Sequence, residues 1–135
     1  MLYPPKLARF ENALKFADEL HSHQRRKYTG EPYVNHLVEV ATMLVDHGAN
    51  DATITAGLLH DSIEDTSATV DCLRERFGEE VARLVVEVSD VSTPDDGNRS
   101  TRKALDRAHL SRASAAAQSI KLADIVSNTP SIIEN

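Results

Sequence analysis

A group of ionisable residues follows an apolar run in the middle of the chain. The stretch 56–66 reads AGLLHDSIEDT and brings His60, Asp61, Glu64 and Asp65 close together in sequence. In a continuous helix residues four apart share a face, so Glu64 is expected above His60 and Asp65 above Asp61. The leucines just before the cluster indicate that it lies at the edge of a packed core. Imidazole and carboxylate groups in such a place predict a buried or half-buried metal site.

Two distant residues extend this set of candidate ligands. His36 lies at the start of the next helical pattern upstream, and Asp124 is a carboxylate inside an otherwise apolar stretch. Two imidazoles and two carboxylates suit a divalent first-row ion such as Mn²⁺, Fe²⁺ or Zn²⁺. Two carboxylates about 5 Å apart repel by roughly 3 kcal/mol at an effective dielectric constant near 20, so a group of acids here requires a cation or protonation. A metal would also supply an activated water.

Each of these residues also has a simpler interpretation. The pair His60 and Asp61 could form a capped helix end, and His36 alone could be a structural histidine. Asp124 could pair with Lys121, and Glu64 could be a solvated acid. The metal-site interpretation is favoured because the residues occur together.

Composition limits the class of protein. The 135 residues fit one domain, and the net charge of −6 argues against general nucleic-acid binding. Cys72 is the only cysteine, so an internal disulfide is excluded and a reducing cytoplasm is expected. No segment reaches the length of a membrane-spanning apolar helix, so we expect a soluble, cytoplasmic protein without a membrane partner.

The elements that must position these side chains are all predicted to be helical. Apolar residues recur at spacings of three and four, while β-branched runs never alternate strictly, which indicates an all-α fold. A loop is predicted over 92–98, and Pro130 is expected to end the last helix. The predicted helices cover 6–23, 34–46, 51–65, 69–77, 79–91, 99–112 and 113–126.

The candidate ligands resemble the H…HD…D signature of the HD-domain phosphohydrolases. Four longer segments are similar to the hydrolase domain of the RelA/SpoT family, and above all to its small stand-alone (p)ppGpp hydrolases. The similarity runs from about Ala13 to Asn128. The resemblance implies an all-α HD-domain helical bundle with a metal site between helices, and a single domain over 1–135. The four segments are QRRK at 24–27, GEPYVNH at 30–36, LLHDSIEDT at 58–66 and KLADIVSN at 121–128.

The resemblance also implies an activity and a role for each acid. It implies Mn²⁺-dependent hydrolysis of ppGpp or pppGpp to GDP or GTP, with pyrophosphate released from the ribose 3′ position; Fe²⁺, Zn²⁺ and Mg²⁺ are alternatives to Mn²⁺. Glu64 and Asp65 would orient or deprotonate the attacking water. The metal would be held by His36, His60, Asp61 and Asp124.

The same resemblance assigns substrate contacts. Arg25, Arg26 and Lys27 would neutralise the pyrophosphate. Tyr33 or Tyr28 would stack on the base, and Asn128, one turn after Asp124, would contact the ribose or phosphate. Arg102 and Lys103 would add phosphate contacts from across the site. The partners expected are a small nucleotide and, in a homo-oligomer, a second copy of the chain.

Relatives of this type continue through at least one more helix that helps to wall the nucleotide pocket, whereas this chain stops at Asn135. The pocket would then be more open, closed by a partner subunit, or built for another substrate. Two alternative functions follow: hydrolysis of a different nucleotide, and a catalytically idle domain that binds nucleotide or a protein partner. No synthetase-like second domain is present, so synthesis is not expected.

Overall fold

The computed structural model describes residues 4–26 and 30–134, with side chains at all of these positions except 65 and 129–134. Within these residues the backbone forms helices and no β-strand, which confirms the predicted all-α class. Two short 3₁₀-helices cover Pro5–Phe10 and Pro94–Asp96. The α-helices are α1 (Glu11–Leu20), α2 (Val34–Asp46), α3 (Asp51–Leu59), α4 (Ser62–Asp65), α5 (Val70–Phe77), α6 (Glu79–Val88), α7 (Arg99–Ser111) and α8 (Ala115–Glu134).

Three helices begin at side chains that cap their first turn. The Asn50 side chain accepts a hydrogen bond from the Thr53 amide at 2.9 Å, and Asn98 does the same for Thr101 at 2.9 Å. The Thr69 hydroxyl accepts from the Cys72 amide at 3.1 Å. Such caps satisfy amide groups that have no partner within the helix, typically for about 1 kcal/mol each. The predicted starts of α3 and α5 are therefore confirmed.

Three predicted helix boundaries are wrong. The helix expected over 6–23 is a 3₁₀-helix followed by α1, because Phe10 at φ −105° and ψ 20° departs from α-helical geometry. Helix α6 ends at Val88 because Ser89 takes extended backbone angles. Helix α8 continues past Pro130 to Glu134, although proline cannot donate a backbone hydrogen bond.

The largest correction concerns the HD motif itself, where the predicted continuous helix is interrupted. Helix α3 ends at Leu59, and α4 begins only at Ser62. The His60 Nδ1 donates to the Gly57 carbonyl at 2.7 Å, and the Ser62 hydroxyl donates to the Leu59 carbonyl at 2.7 Å. Side chains that bond local carbonyls in this way compete with the regular helical ladder. The predicted continuous helix over 51–65 is therefore wrong, although the backbone angles of His60 and Asp61 stay in the right-handed helical region.

Helix α3 lies at the centre of the core and contacts α1, α2, α6 and α8. Leu58 and Leu59 are fully buried, which for each side chain is worth about 2 kcal/mol. Gly57 lies where α2 and α3 approach most closely, since a Cβ atom there would stand 2.6 Å from Leu44 Cδ1. This close contact holds the end of α3 beside α2. Among the described residues, no helix is both long and apolar enough to cross a bilayer.

Candidate metal centre

Four side chains from three separate parts of the chain converge beside the end of α3. They are His36 from α2, His60 and Asp61 from the break after α3, and Asp124 from α8, and each offers one ligand atom within 4.8 Å of the others. Asp124 Oδ1 lies 2.7 Å from His36 Nε2 and 3.2 Å from His60 Nε2. Asp61 Oδ2 lies 3.2 Å from His60 Nε2. The structure thus brings together all four predicted ligands.

The orientation of His60 suits metal binding. A backbone carbonyl can only accept, so the hydrogen bond to Gly57 places the ring proton on His60 Nδ1. Nε2 is then the ring nitrogen that faces Asp61 and Asp124 and is available to a metal ion. Metal-binding histidines commonly donate their second ring nitrogen to a carbonyl or carboxylate in this way. With two imidazole nitrogens and two carboxylates, the donor set fits a divalent cation.

The electrostatics of the cluster favour positive charge. Burial lowers the pKa of His60, but the Asp61 charge and the hydrogen bond to Asp124 outweigh it and raise that pKa to about 9. Burial acts to raise the pKa of Asp124, yet hydrogen bonds from His36 and His60 hold it well below its usual range. Both shifts reflect carboxylates that need a cation close by. A divalent ion meets the same requirement.

Tyr33 contacts this cluster directly. Its hydroxyl donates a short hydrogen bond to Asp61 Oδ2, and its ring packs against His36 with centroids 5.4 Å apart. The sequence prediction placed Tyr33 against the base of the substrate. In the structure its hydroxyl bonds a candidate metal ligand, and stacking of the Tyr33 ring on the base stays a prediction. Tyr28, the alternative residue, lies outside the described residues.

Replacing Tyr33 by phenylalanine is expected to weaken metal binding roughly tenfold, because partners that orient a ligand typically contribute 10–100-fold to affinity. The variant keeps the ring contacts and removes only the donor to Asp61. Calorimetric titration of metal-free protein with Mn²⁺ measures the effect. An affinity equal to that of the wild type would show that Tyr33 does not position Asp61.

Of the two predicted catalytic acids, the structure describes the side chain of Glu64 and not that of Asp65. The Glu64 carboxylate accepts a short hydrogen bond from the backbone amide of Asp90, which places it beside the residue that follows α6. The side chain of Asp65 lies outside the described residues. Glu64 therefore lies at the border of the site. Its carboxylate is held by the backbone of the segment that follows α6.

Asp90 is a residue near the site that the sequence interpretation missed. Partial burial and the charge of Asp106 raise its pKa; Lys121 offsets part of this, while Asp61 and Asp124 add to it. Asp90 therefore lies within electrostatic range of two candidate ligands. The sequence offers only an acidic residue shortly after the buried apolar residues of α6. An acid in that position does not by itself distinguish a site residue from a solvated one.

The predicted substrate-binding cations are distributed differently from the expectation. Arg25 is exposed, whereas the Arg26 side chain is only 6% exposed and pairs with Glu39 at 2.8 Å. Lys27 lies outside the described residues. Arg26 thus forms an internal ion pair, and its assignment as a pyrophosphate ligand stays a prediction. Asn128 is exposed on α8, one turn after Asp124.

A second group of cationic side chains surrounds a cavity beside the four candidate metal ligands. Lys103, Arg107 and Lys121 line a cavity of about 410 Å³ whose wall also includes Asp90 and Asp106. The Lys121 Nζ lies 3.6 Å from Asp124 Oδ2, so the cavity adjoins the metal ligands. Cations beside a candidate metal centre can hold an anionic group of a substrate.

This all-helical fold, with histidines and aspartates gathered beside its central helix, matches a known family. The HD-domain family model matches residues 13–128. The match covers most of the chain, and the chain therefore belongs to the HD-domain family.

Within that family, the chain is similar to proteins named for one reaction. It is 37% identical over 124 residues to the guanosine-3′,5′-bis(diphosphate) 3′-pyrophosphohydrolase MESH1 of Drosophila melanogaster, covering 90% of this chain and 68% of that protein. It is 46% identical over 89 residues, 66% of this chain, to the Aquifex aeolicus guanosine-3′,5′-bis(diphosphate) 3′-pyrophosphohydrolase. A solved structure, described as a metazoan ortholog of SpoT that hydrolyzes ppGpp and plays a role in starvation responses, superposes with a TM-score of 0.78 at 36% identity, covering 95% of this chain and 71% of that one.

The relatives differ in length from this chain. The Aquifex protein is matched over 13% of its length, and the Synechocystis protein of the same type over 10% of its length. The chain therefore spans a small part of those longer proteins and about two thirds of MESH1.

Proposed function

We propose that this chain hydrolyses ppGpp or pppGpp at the ribose 3′ position, yielding GDP or GTP and pyrophosphate. The observation that carries the proposal is the convergence of His36, His60, Asp61 and Asp124 from three parts of the chain onto one point. The similarity to MESH1 over 90% of the chain supports the choice of substrate. The unit that performs the reaction is the single HD domain, residues 1–135.

The four converging side chains would hold a divalent cation, and Mn²⁺ is our choice of ion. Two imidazole nitrogens favour Mn²⁺, Fe²⁺ or Zn²⁺ over Mg²⁺, which prefers an octahedral shell of oxygen ligands. Such an ion, when bound, polarises phosphoryl oxygens and lowers the pKa of a bound water. Tyr33 fixes the Asp61 carboxylate, and Gly57 fixes the His60 ring.

Acids at the border of the site would handle the water proton. Water attacks the phosphorus attached to the 3′ oxygen and the P–O bond to the ribose breaks. The proton taken from this water is passed to the 3′ oxygen, which leaves as a hydroxyl group. Glu64 and Asp65 orient this water or accept its proton, since a general base must lie within hydrogen-bond reach of it. The bond from the Asp90 amide fixes the Glu64 carboxylate in one orientation.

Cations on the chain would bind the phosphate groups of the substrate. Lys121 lies beside Asp124, and Lys103 and Arg107 line the same cavity. These three add to the predicted phosphate contacts Arg25, which is exposed, and Arg26, which is buried. Asn128, exposed one turn along α8 from Asp124, would donate to the ribose or a phosphate.

The decisive experiment incubates Mn²⁺-loaded protein with ppGpp, pppGpp and a panel of nucleoside mono-, di- and triphosphates. We expect GDP or GTP to appear together with an equal amount of pyrophosphate, and only from the first two substrates. Release of orthophosphate from other nucleotides with ppGpp intact would instead identify a different phosphohydrolase. Nucleotide binding without turnover by the metal-loaded protein would identify an idle sensor domain.

A further inference from the structure

Arg26 belongs to a chain of hydrogen bonds that ends at the candidate metal centre. Its guanidinium donates to Glu39 Oε2 at 2.8 Å and to the Ser127 carbonyl at 3.1 Å. The Ser127 hydroxyl donates to Glu39 Oε1 at 2.7 Å, and the same hydroxyl lies 2.9 Å from His36 Nδ1. The network thus joins the segment after α1 to α2 and α8. Arg26, Ser127 and His36 are all buried.

The donors and acceptors of this network determine where the His36 proton lies. A guanidinium only donates, so Glu39 faces Arg26 as a carboxylate, which only accepts. The Ser127 hydroxyl has one proton, and Glu39 takes it. Its oxygen can then only accept from His36, so the proton of that ring is on Nδ1. His36 Nε2 faces Asp124 Oδ1 at 2.7 Å, and this ring nitrogen is the one that a bound metal ion would take as its ligand in place of a proton.

The network also fixes the helix that carries Asp124. Arg26 holds the Ser127 backbone carbonyl, and Ser127 follows Asp124 by less than one turn of α8. A single guanidinium therefore supports both the ring of one candidate ligand and the backbone beside another. By comparison, the Nδ1 of His60 bonds a backbone carbonyl, whereas the Nδ1 of His36 bonds a side-chain hydroxyl.

We propose that Arg26, Glu39 and Ser127 are positioning residues that set the ring tautomer of His36 and so prepare Nε2 for the metal. The inference rests on the metal site of the proposed function, and it does not depend on the identity of the nucleotide. It also explains why a cation taken from sequence as a phosphate ligand is buried. Partners of this kind typically change metal affinity by 10–100-fold.

Glu39→Gln is the sharpest test because the change keeps size and shape. The amide oxygen of glutamine can face Arg26, and its NH₂ group then donates to the Ser127 hydroxyl. Ser127 must in turn donate to His36 Nδ1, which leaves that nitrogen without a proton and keeps the ring proton on Nε2. We expect ¹⁵N NMR of metal-free protein to show a proton on His36 Nδ1 in the wild type and the Nε2–H tautomer in Glu39→Gln, and Mn²⁺ affinity measured by calorimetry to fall 10–100-fold.

Variants at Ser127 give a second, independent measurement. Ser127→Ala removes the acceptor for His36 and is expected to lower Mn²⁺ affinity by a similar factor, whereas Ser127→Thr keeps a hydroxyl and should restore most of it. Matched controls are Glu75→Gln and Ser111→Ala at exposed positions, with circular dichroism to verify folding. A purely structural role would not reverse the His36 tautomer in a folded Glu39→Gln protein.

The outcomes separate this inference from the proposed function. Wild-type Mn²⁺ affinity and an unchanged His36 tautomer in Glu39→Gln would overturn the positioning role alone. A wild-type protein that binds no Mn²⁺ would overturn the metal site, and with it both proposals. A protein that binds Mn²⁺ but leaves ppGpp intact would overturn the substrate assignment, while the tautomer and affinity measurements would still decide the role of the network.

Discussion

Asp61→Ala is expected to abolish metal binding and hydrolysis together. Asp61 is one of four converging ligands, and its carboxylate contributes much of the negative charge that offsets a divalent ion. Loss of several kcal/mol of charge stabilisation corresponds to a fall in kcat/KM on the order of 10³-fold. Calorimetry with Mn²⁺ and a pyrophosphate-release assay measure the two effects on the same preparation.

The matched control for this variant is Asp71→Ala, since Asp71 has a side chain that is 88% exposed. Asp71 pairs only with the nearby Arg74 at the surface, so its loss should leave turnover within about twofold of wild type, in keeping with the small energies of exposed ion pairs. If Asp61→Ala retained both Mn²⁺ binding and turnover, the site would not be the centre of the reaction.

Glu64→Gln is expected to lower kcat by 10²–10⁴-fold, the usual contribution of a general base, while Mn²⁺ affinity stays unchanged. Glutamine keeps an oxygen that can accept from the Asp90 amide, so the local backbone is preserved and only the proton acceptor is lost. Steady-state kinetics with ppGpp and Mn²⁺ calorimetry on the same protein separate rate from metal binding.

Two comparisons make the Glu64 result specific. Glu80→Gln changes an exposed acid of α6 and should leave kcat unaltered. Glu64→Ala also removes the acceptor for Asp90, so any additional loss relative to Glu64→Gln reports the contribution of that contact. Full activity in Glu64→Gln would leave Glu64 with a structural role only, and a loss of Mn²⁺ affinity equal to the loss of rate would contradict its assignment as a base.

The metal centre could be anticipated from sequence because its residue types are chemically restrictive. Imidazoles and carboxylates at His36, His60, Asp61 and Asp124 are hard to explain together inside apolar helices, and the structure does bring them within 4.8 Å of one another. Helix starts at Asn50 and Thr69 were also predictable, because a capping side chain acts within its own turn. These features could be predicted because they depend on residues close together in sequence or on residue types that have few other roles in a helix.

Other features depended on tertiary contacts that no local pattern contains. The run of cations gave no sign that Arg26 turns inward, because its partners Glu39 and Ser127 are 13 and 101 residues away. Periodicity predicted a continuous helix through the HD pair, but His60 and Ser62 bond nearby carbonyls and interrupt it. The contribution of the Asp61 charge to the raised pKa of Asp90 likewise exists only after α6 has packed against α3.

The wide separation of the ligands along the chain has a consequence for how the domain assembles. Asp124 meets His36 across 88 residues and His60 across 64, so the donor set exists only when α8 has docked against α2 and α3. Partly folded forms that lack this docking cannot chelate the ion, and ligand binding to the native state alone stabilises it by mass action. Binding of the ion would therefore stabilise the docking of α8 against α2 and α3, and would occur only in molecules in which this docking is complete.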